Sequence, residues 1–122
     1  RSKQMKRSAI VIIAFLMIAV FTIPASGQVN ARGRLTLLRV HDVGTGFGPP
    51  SDFIDAEVVI ALDSQPGKFF GFQLRNDAKL PARQGMLDLM RDAFERNLIV
   101  NIDFFLTPGK NNNILFRVWL TK

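Results

Sequence analysis

Few groups in this chain can make or break bonds. It has one histidine, His41, and no cysteine. Any imidazole base, catalytic triad or histidine-rich metal site must therefore use His41, and thiol nucleophiles and thiolate zinc sites are excluded. Asp42 cannot orient its ring, because successive strand residues point to opposite faces. The nearest serine, Ser51, follows Pro49-Pro50 and lacks the Gly-x-Ser-x-Gly turn that exposes a nucleophile. His41 is therefore expected at a strand end, as part of the scaffold.

Asp52, Asp55 and Glu57 form a small acidic group, the last two on one face of a strand. Paired carboxylates can act as acid and base or hold Ca²⁺, but the ligand loop and turn glycine of an EF-hand are missing. They are read as solvated edge-strand charges, with no metal and no cofactor expected. The run Gly44-x-Gly46-x-Gly48 superficially matches a phosphate cradle, which needs a helix N-terminus directly after the glycines. Pro49-Pro50 and a strand follow instead. The run is expected to be a mobile loop bordering a ligand face, with Thr45 and Phe47 as candidate contacts. Phe69, Phe70 and Phe72 with Lys68 and Arg75 resemble the aromatic and basic mixture of single-strand nucleic-acid binders. Phe70, Phe72 and Leu74 alternate as core residues should, and no nucleic-acid partner is expected. An enzyme is not expected either, since nucleophiles and histidines are so scarce.

The chain has 122 residues, with 16 Lys+Arg against 10 Asp+Glu and a net charge of +6, which suits one small domain. Arg1, Lys3, Lys6 and Arg7 supply four of the cations, so the rest carries 12 minus 10, or +2. Those four belong to a segment that reads as an export signal: the basic Met5-Lys6-Arg7-Ser8, the apolar run Ala9 to Ile23, then Pro24-Ala25-Ser26-Gly27. The apolar run has 15 residues, short of the roughly 20 that span a bilayer, so a permanent membrane anchor is the weaker reading. Residues 1–27 are assigned to the signal, with 1–4 upstream of it, and 28–122 to a single domain. Cleavage after Ala31 is the alternative. The compact, cationic pattern looks bacterial and predicts a periplasmic or secreted product.

Gly33 to Val43 reads as the first strand, Asp55 to Leu62 as the second and Lys68 to Leu74 as the third, with Gly71 at a bulge or bend. From Pro81 to Asn97 the period changes. Met86, Leu87, Leu89, Met90, Ala93 and Phe94 share one arc of a helix that Pro81 opens and Asn97 caps. Leu98, Val100, Ile102 and Phe104, then Ile114, Phe116, Val118 and Leu120, alternate as the inner faces of a terminal hairpin. Three strands, a helix and two strands form the order of the OB-fold, a five-stranded, partly open barrel with one capping helix between strands three and four. The fold class is all-β to α+β. Another α+β arrangement of five strands and one helix is the alternative.

Gly33 opening the first strand, the apolar run ending near His41, Leu89 and Ala93 on the inner helix face, and Val100-x-Ile102 together resemble the B subunits of bacterial AB toxins, above all those of the subtilase cytotoxin type. The resemblance spans residues 33–120 and implies a secreted OB-fold assembled as a ring of five that binds cell-surface glycans. Cysteines and tyrosines of that family are absent, and Arg32 stands where its sugar site has a serine, so sialoglycan specificity does not transfer.

In the hairpin, a loop centred on Lys110 pairs Phe105 with Leu115, Asp103 with Arg117 and Asn101 with Trp119 on the outer face. A tryptophan beside apolar neighbours and an ion pair calls for a partner. Either a neighbouring subunit covers it, or a sugar stacks on Trp119 with hydrogen bonds from Asn101, Asp103 and Arg117; an ordinary tryptophan packed under a loop is the third possibility. The expected function is an exported, non-enzymatic binding domain for a carbohydrate or protein, acting as a homo-oligomer. The alternative is a monomeric periplasmic structural or inhibitor-type protein.

Overall fold

The computed structural model describes residues 27–122; the segment read as an export signal lies outside the described residues, apart from Gly27. Five strands, β1 (Gly27–Val40), β2 (Val58–Leu62), β3 (Phe70–Phe72), β4 (Ile99–Leu106) and β5 (Asn113–Leu120), and one helix, α1 (Leu80–Arg96), follow in the expected order. The strands close into a barrel in the order β1-β2-β3-β5-β4. All pairings are antiparallel except that of β3 with β5.

Closure depends on the length of β1. Residues Gly27 to Arg34 pair with β4, and Leu35 to Val40 pair with β2. A register shift between Leu35 and Leu37 bends the strand where it passes from one partner to the other. The expected first strand missed its first six residues and overran its end, because Gln28, Asn30 and Arg32 put polar side chains on its outer face. The second and third strands are also shorter than expected. Asp55 to Glu57 belongs to the incoming loop, and Lys68, Phe69, Gln73 and Leu74 flank a three-residue strand.

Inside the barrel Val58, Ile60, Leu62, Phe70, Phe72, Val100, Ile102 and Phe104 form the core, and the Phe70 and Phe104 rings meet at 4.7 Å. Each such side chain withdrawn from water stabilises the fold by roughly 1.5–3 kcal/mol. α1 closes one mouth with Met90 and Ala93 fully buried and Met86, Leu87 and Leu89 packed partly against the core. Pro81 sits in its first turn, and Asn97 ends it in the left-handed region at φ 54°, the Leu98 amide returning to the Ala93 carbonyl. Phe94, expected on the inner arc, is instead 46% exposed. No helix among the described residues is long and apolar enough to cross a membrane.

Gly71 is neither bulged nor bent. It pairs regularly with Val59 and Ile114, and a Cβ there would come within 2.8 Å of the Ala56 Cβ and the Val58 carbonyl, and 3.0 Å of the Ile54 side chain. Its neighbours Phe70 and Phe72 point inward, so Gly71 faces outward, and Ile54 and Ala56 lie on that outer surface. They are buried with Val59 apart from the main core. The long loop between β1 and β2 thus folds back over the outside of β2 and β3.

Candidate functional site

The expected site residues fall into two regions, the loop rim and the outer face of β1, β4 and β5. In the rim, Gly44, Gly46 and Gly48 all have positive φ, and the loop they shape is pinned. Phe47 and Ile54 exchange backbone hydrogen bonds, and the Phe47 ring meets Phe69 at 4.9 Å with the Arg39 guanidinium 5.5 Å above it. Asp52, in a short 3-10 turn, accepts from the Asn111 and Asn112 amides at 3.0 and 2.9 Å, while the Asn112 side chain donates to its carbonyl. The two loops are thereby tied together. Asp52 is a clamp between loops, and the expectation of a simple solvated charge fails there.

That expectation also fails for Glu57, which is 1% exposed. Arg75 grips both its carboxylate oxygens, Nε to Oε1 and Nη2 to Oε2 at 2.9 Å each, and the Leu74 amide donates to Oε1. Asp55 takes a further bond from Arg75 Nη2 at 2.6 Å. The hydrogen bonds from the Arg75 guanidinium hold the Glu57 carboxyl below its ordinary value of 4.5, against the opposing effect of burial. Arg75 is raised in turn, chiefly by Glu57. Thr45 hydrogen-bonds the same loop's histidine: its hydroxyl donates to the Asp42 carbonyl at 2.8 Å and lies 2.6 Å from His41 Nδ1. With its proton directed to Asp42, the hydroxyl accepts from His41, which fixes the Nδ1–H tautomer. Nε2 is buried without a hydrogen-bond partner among the described residues.

On the outer face, Asn101 opposes Trp119 and Asp103 opposes Arg117, as expected. Past Asp103 the register shifts, so Phe104 pairs with Leu115 and Phe105 with Ile114 rather than Leu115. Phe116 is the extra residue of this bulge. It turns Leu115 into the core at 1% exposure and brings its own ring outward to stack on Phe105, centroids 4.4 Å apart and planes inclined by 29°. The Asp103–Arg117 pair closes at 2.8 Å beside them, Asn30 donates to the Ile102 carbonyl and lies 3.4 Å from Asp103, and the Arg117 guanidinium sits 5.5 Å from the Phe116 centroid. Next to the aromatic pair a groove of about 580 Å³ runs between Ala82 and Met86 of α1 and Gln28, Phe105 and Phe116.

Trp119 is half-buried, and Asn101 is enclosed, its side chain 3.4 Å from the Trp119 carbonyl and the Thr121 hydroxyl. These four hairpin residues adjoin one another. No hydrogen bond or ion pair joins them to Thr45 or Phe47, which belong to the rim. The stacked aromatic pair was missed as a pair, since its partner residue depends on the bulge. Among the described residues no group of His, Cys, Asp or Glu side chains is arranged to hold a metal ion. What the outer face can do is stack, hydrogen-bond and pair charges. Comparisons with protein-family models, with curated proteins and with solved structures found no match to this chain.

Proposed function

We propose that the protein is an exported, non-enzymatic binding domain of OB-fold type, whose outer β1-β4-β5 face is covered by a second copy of the chain in a homo-oligomer like those of toxin B subunits. The observation that carries this reading is the stacked Phe105–Phe116 pair, with Phe105 46% exposed beside the Asp103–Arg117 ion pair. Aromatic and Arg groups of this kind are enriched where protein interfaces bury their centres. The strand order and the helix between the third and fourth strands support the OB assignment. Such domains often take ligands over strands two and three, but here the chain's own loop lies there. The β1-β4-β5 side stays open. Cleavage after Gly27 suits the fold better than cleavage after Ala31, which would remove a buried residue and four others that pair with β4.

Light scattering on the exported chain and on Phe105→Ser tests the proposal. An assembly near five subunit masses that falls to monomer in the variant, with an unchanged circular dichroism spectrum, is the expected result. A wild-type monomer at high concentration sinks the assembly and favours the monomeric, partner-binding alternative. Glycan binding by that monomer, lost in Trp119→Ala, would assign the face to a sugar instead.

A further inference from the structure

We propose that the groove at the C-terminal end of α1 binds a phosphate ester. It encloses about 470 Å³ between the exit of the helix and the neighbouring ends of β1, β4 and β5. Leu98, Ile99 and Leu120 contribute apolar surface, Arg32, Arg34, Arg96 and Lys122 contribute charge, and no carboxylate side chain lines it.

What marks this grouping is that four cations are gathered at one groove and none of them faces a carboxylate. Residues 27–122 hold 12 cations, the 16 of the chain less Arg1, Lys3, Lys6 and Arg7. Of the eight outside the groove, Arg75, Arg83, Arg91 and Arg117 each face an acid, and Arg39, Lys68, Lys79 and Lys110 do not. The four cations of the groove have no ion-pair partner among the described residues. Asp63 approaches Arg34, but it accepts from the backbone amide at 2.9 Å rather than from the guanidinium. The C-terminus of α1 attracts cations, yet a helix end carries only roughly half an elementary charge, against four full ones here. Net positive charge is left for a ligand to neutralise.

The geometry suits an oxyanion with several acceptors. β1 puts Arg32 and Arg34 on one face, two residues apart. Arg34 Nε is held 3.2 Å from the Asn97 carbonyl, which the left-handed cap exposes. This fixes the guanidinium plane and leaves the Nη donors pointing elsewhere. Arginine forks match phosphate oxygens in pairs, whereas a single carboxylate would engage only one fork. The apolar surface beside them suits the body of the ester, either a soluble metabolite or a lipid whose headgroup carries the phosphate.

Amide NMR titration of the protein with glucose 6-phosphate, alongside co-sedimentation with phosphatidylcholine vesicles containing phosphatidic acid, tests the inference and separates the two sources. Saturable shifts at Arg32, Arg34, Asn97 and Thr121 are expected, with none from glucose. The double substitution Arg32→Gln with Arg96→Gln should weaken binding about tenfold or more, the loss of charge-assisted hydrogen bonds, while Asp88→Asn on the exposed side of α1 leaves it unchanged. Neither Arg32 nor Arg96 has a side-chain hydrogen bond within the described fold, so the variant spectrum away from the groove should match the wild type. Response to glucose 6-phosphate assigns the site to a soluble ester, and response to the vesicles alone, lost in the double variant, assigns it to a lipid headgroup. Absence of saturable binding to both probes overturns the inference. So does binding that the double variant retains, with shifts spread to Lys68 and Lys79.

Discussion

The loop rim and the outer face of β1, β4 and β5 carry similar residue types and treat them oppositely. At the rim the conspicuous polar groups are consumed by the fold, with His41 Nε2 the exception among the described residues. Glu57 and Asp55 are held by Arg75, Asp52 by the next loop, and Thr45 by His41 and Asp42. On the outer face the Asp103–Arg117 pair leaves its arginine side chain 63% exposed, and two phenylalanines stack in view of solvent. Charged and aromatic residues in a sequence do not by themselves mark a binding site. What separates the two regions is whether the folded chain already supplies the partners.

If that distinction is right, substitutions at the rim should cost stability, and those on the face should cost little. The largest effect is expected for Arg75→Ala, which strands the enclosed Glu57 carboxylate and should lower the urea midpoint well beyond the change at any exposed pair. The same pair sets a pH dependence. Because the Glu57 carboxyl is lowered in the folded state, its contribution is fully present above the ordinary value of 4.5 and is lost as pH falls through the depressed folded value. Wild-type unfolding free energy should therefore drop on acidification below pH 4.5, and Glu57→Gln should flatten that drop. Gly71→Ala comes next. A methyl 2.8 Å from the Val58 carbonyl and the Ala56 side chain must lift the loop from β2 and β3, costing about 1–3 kcal/mol by thermal unfolding.

The outer face should respond weakly. Phe105→Ala removes a half-exposed ring and its stacking, with an expected cost of about 1 kcal/mol in the monomer, whereas its buried neighbour Phe104 would cost about 3–5 kcal/mol on the same change. The smallest effect belongs to Arg117→Ala, about 0.2–1 kcal/mol for an exposed pair. A loss of 3 kcal/mol there would erase the distinction between the two regions.

Much of the architecture was legible in the sequence because alternation and period report directly on burial. The element order, the helix with its Asn97 cap, and the Asn101–Trp119 and Asp103–Arg117 register all follow from that pattern. Three features did not. The run Ile114-Leu115-Phe116 is apolar at both parities, so nothing local shows that Phe116 is the inserted residue. Glu57 precedes an apolar strand and looks like an edge charge until Arg75, 18 positions away, is placed over it. The groove at the end of α1 draws its four cations from β1, the helix and the C-terminal residues, and charges scattered over three segments make no motif. Legibility ended where a feature needed two remote segments at once.

The parallel seam between β3 and β5 has a further consequence for how the barrel opens. Only two residue pairs, Phe70 with Asn113 and Gly71 with Ile114, close the ring there, while β1 and β4 are joined by eight. Both links join remote segments, 43 positions apart at the seam and 65 or more in the β1–β4 ladder, so what distinguishes the seam is how few residue pairs hold it. A contact held by so few pairs is the first released in native-state fluctuation. Amide protons at the seam should exchange with solvent through openings smaller than global unfolding, while those of the β1–β4 ladder report the full unfolding free energy. The molecule behaves less as a rigid cylinder than as a curled sheet with a latch.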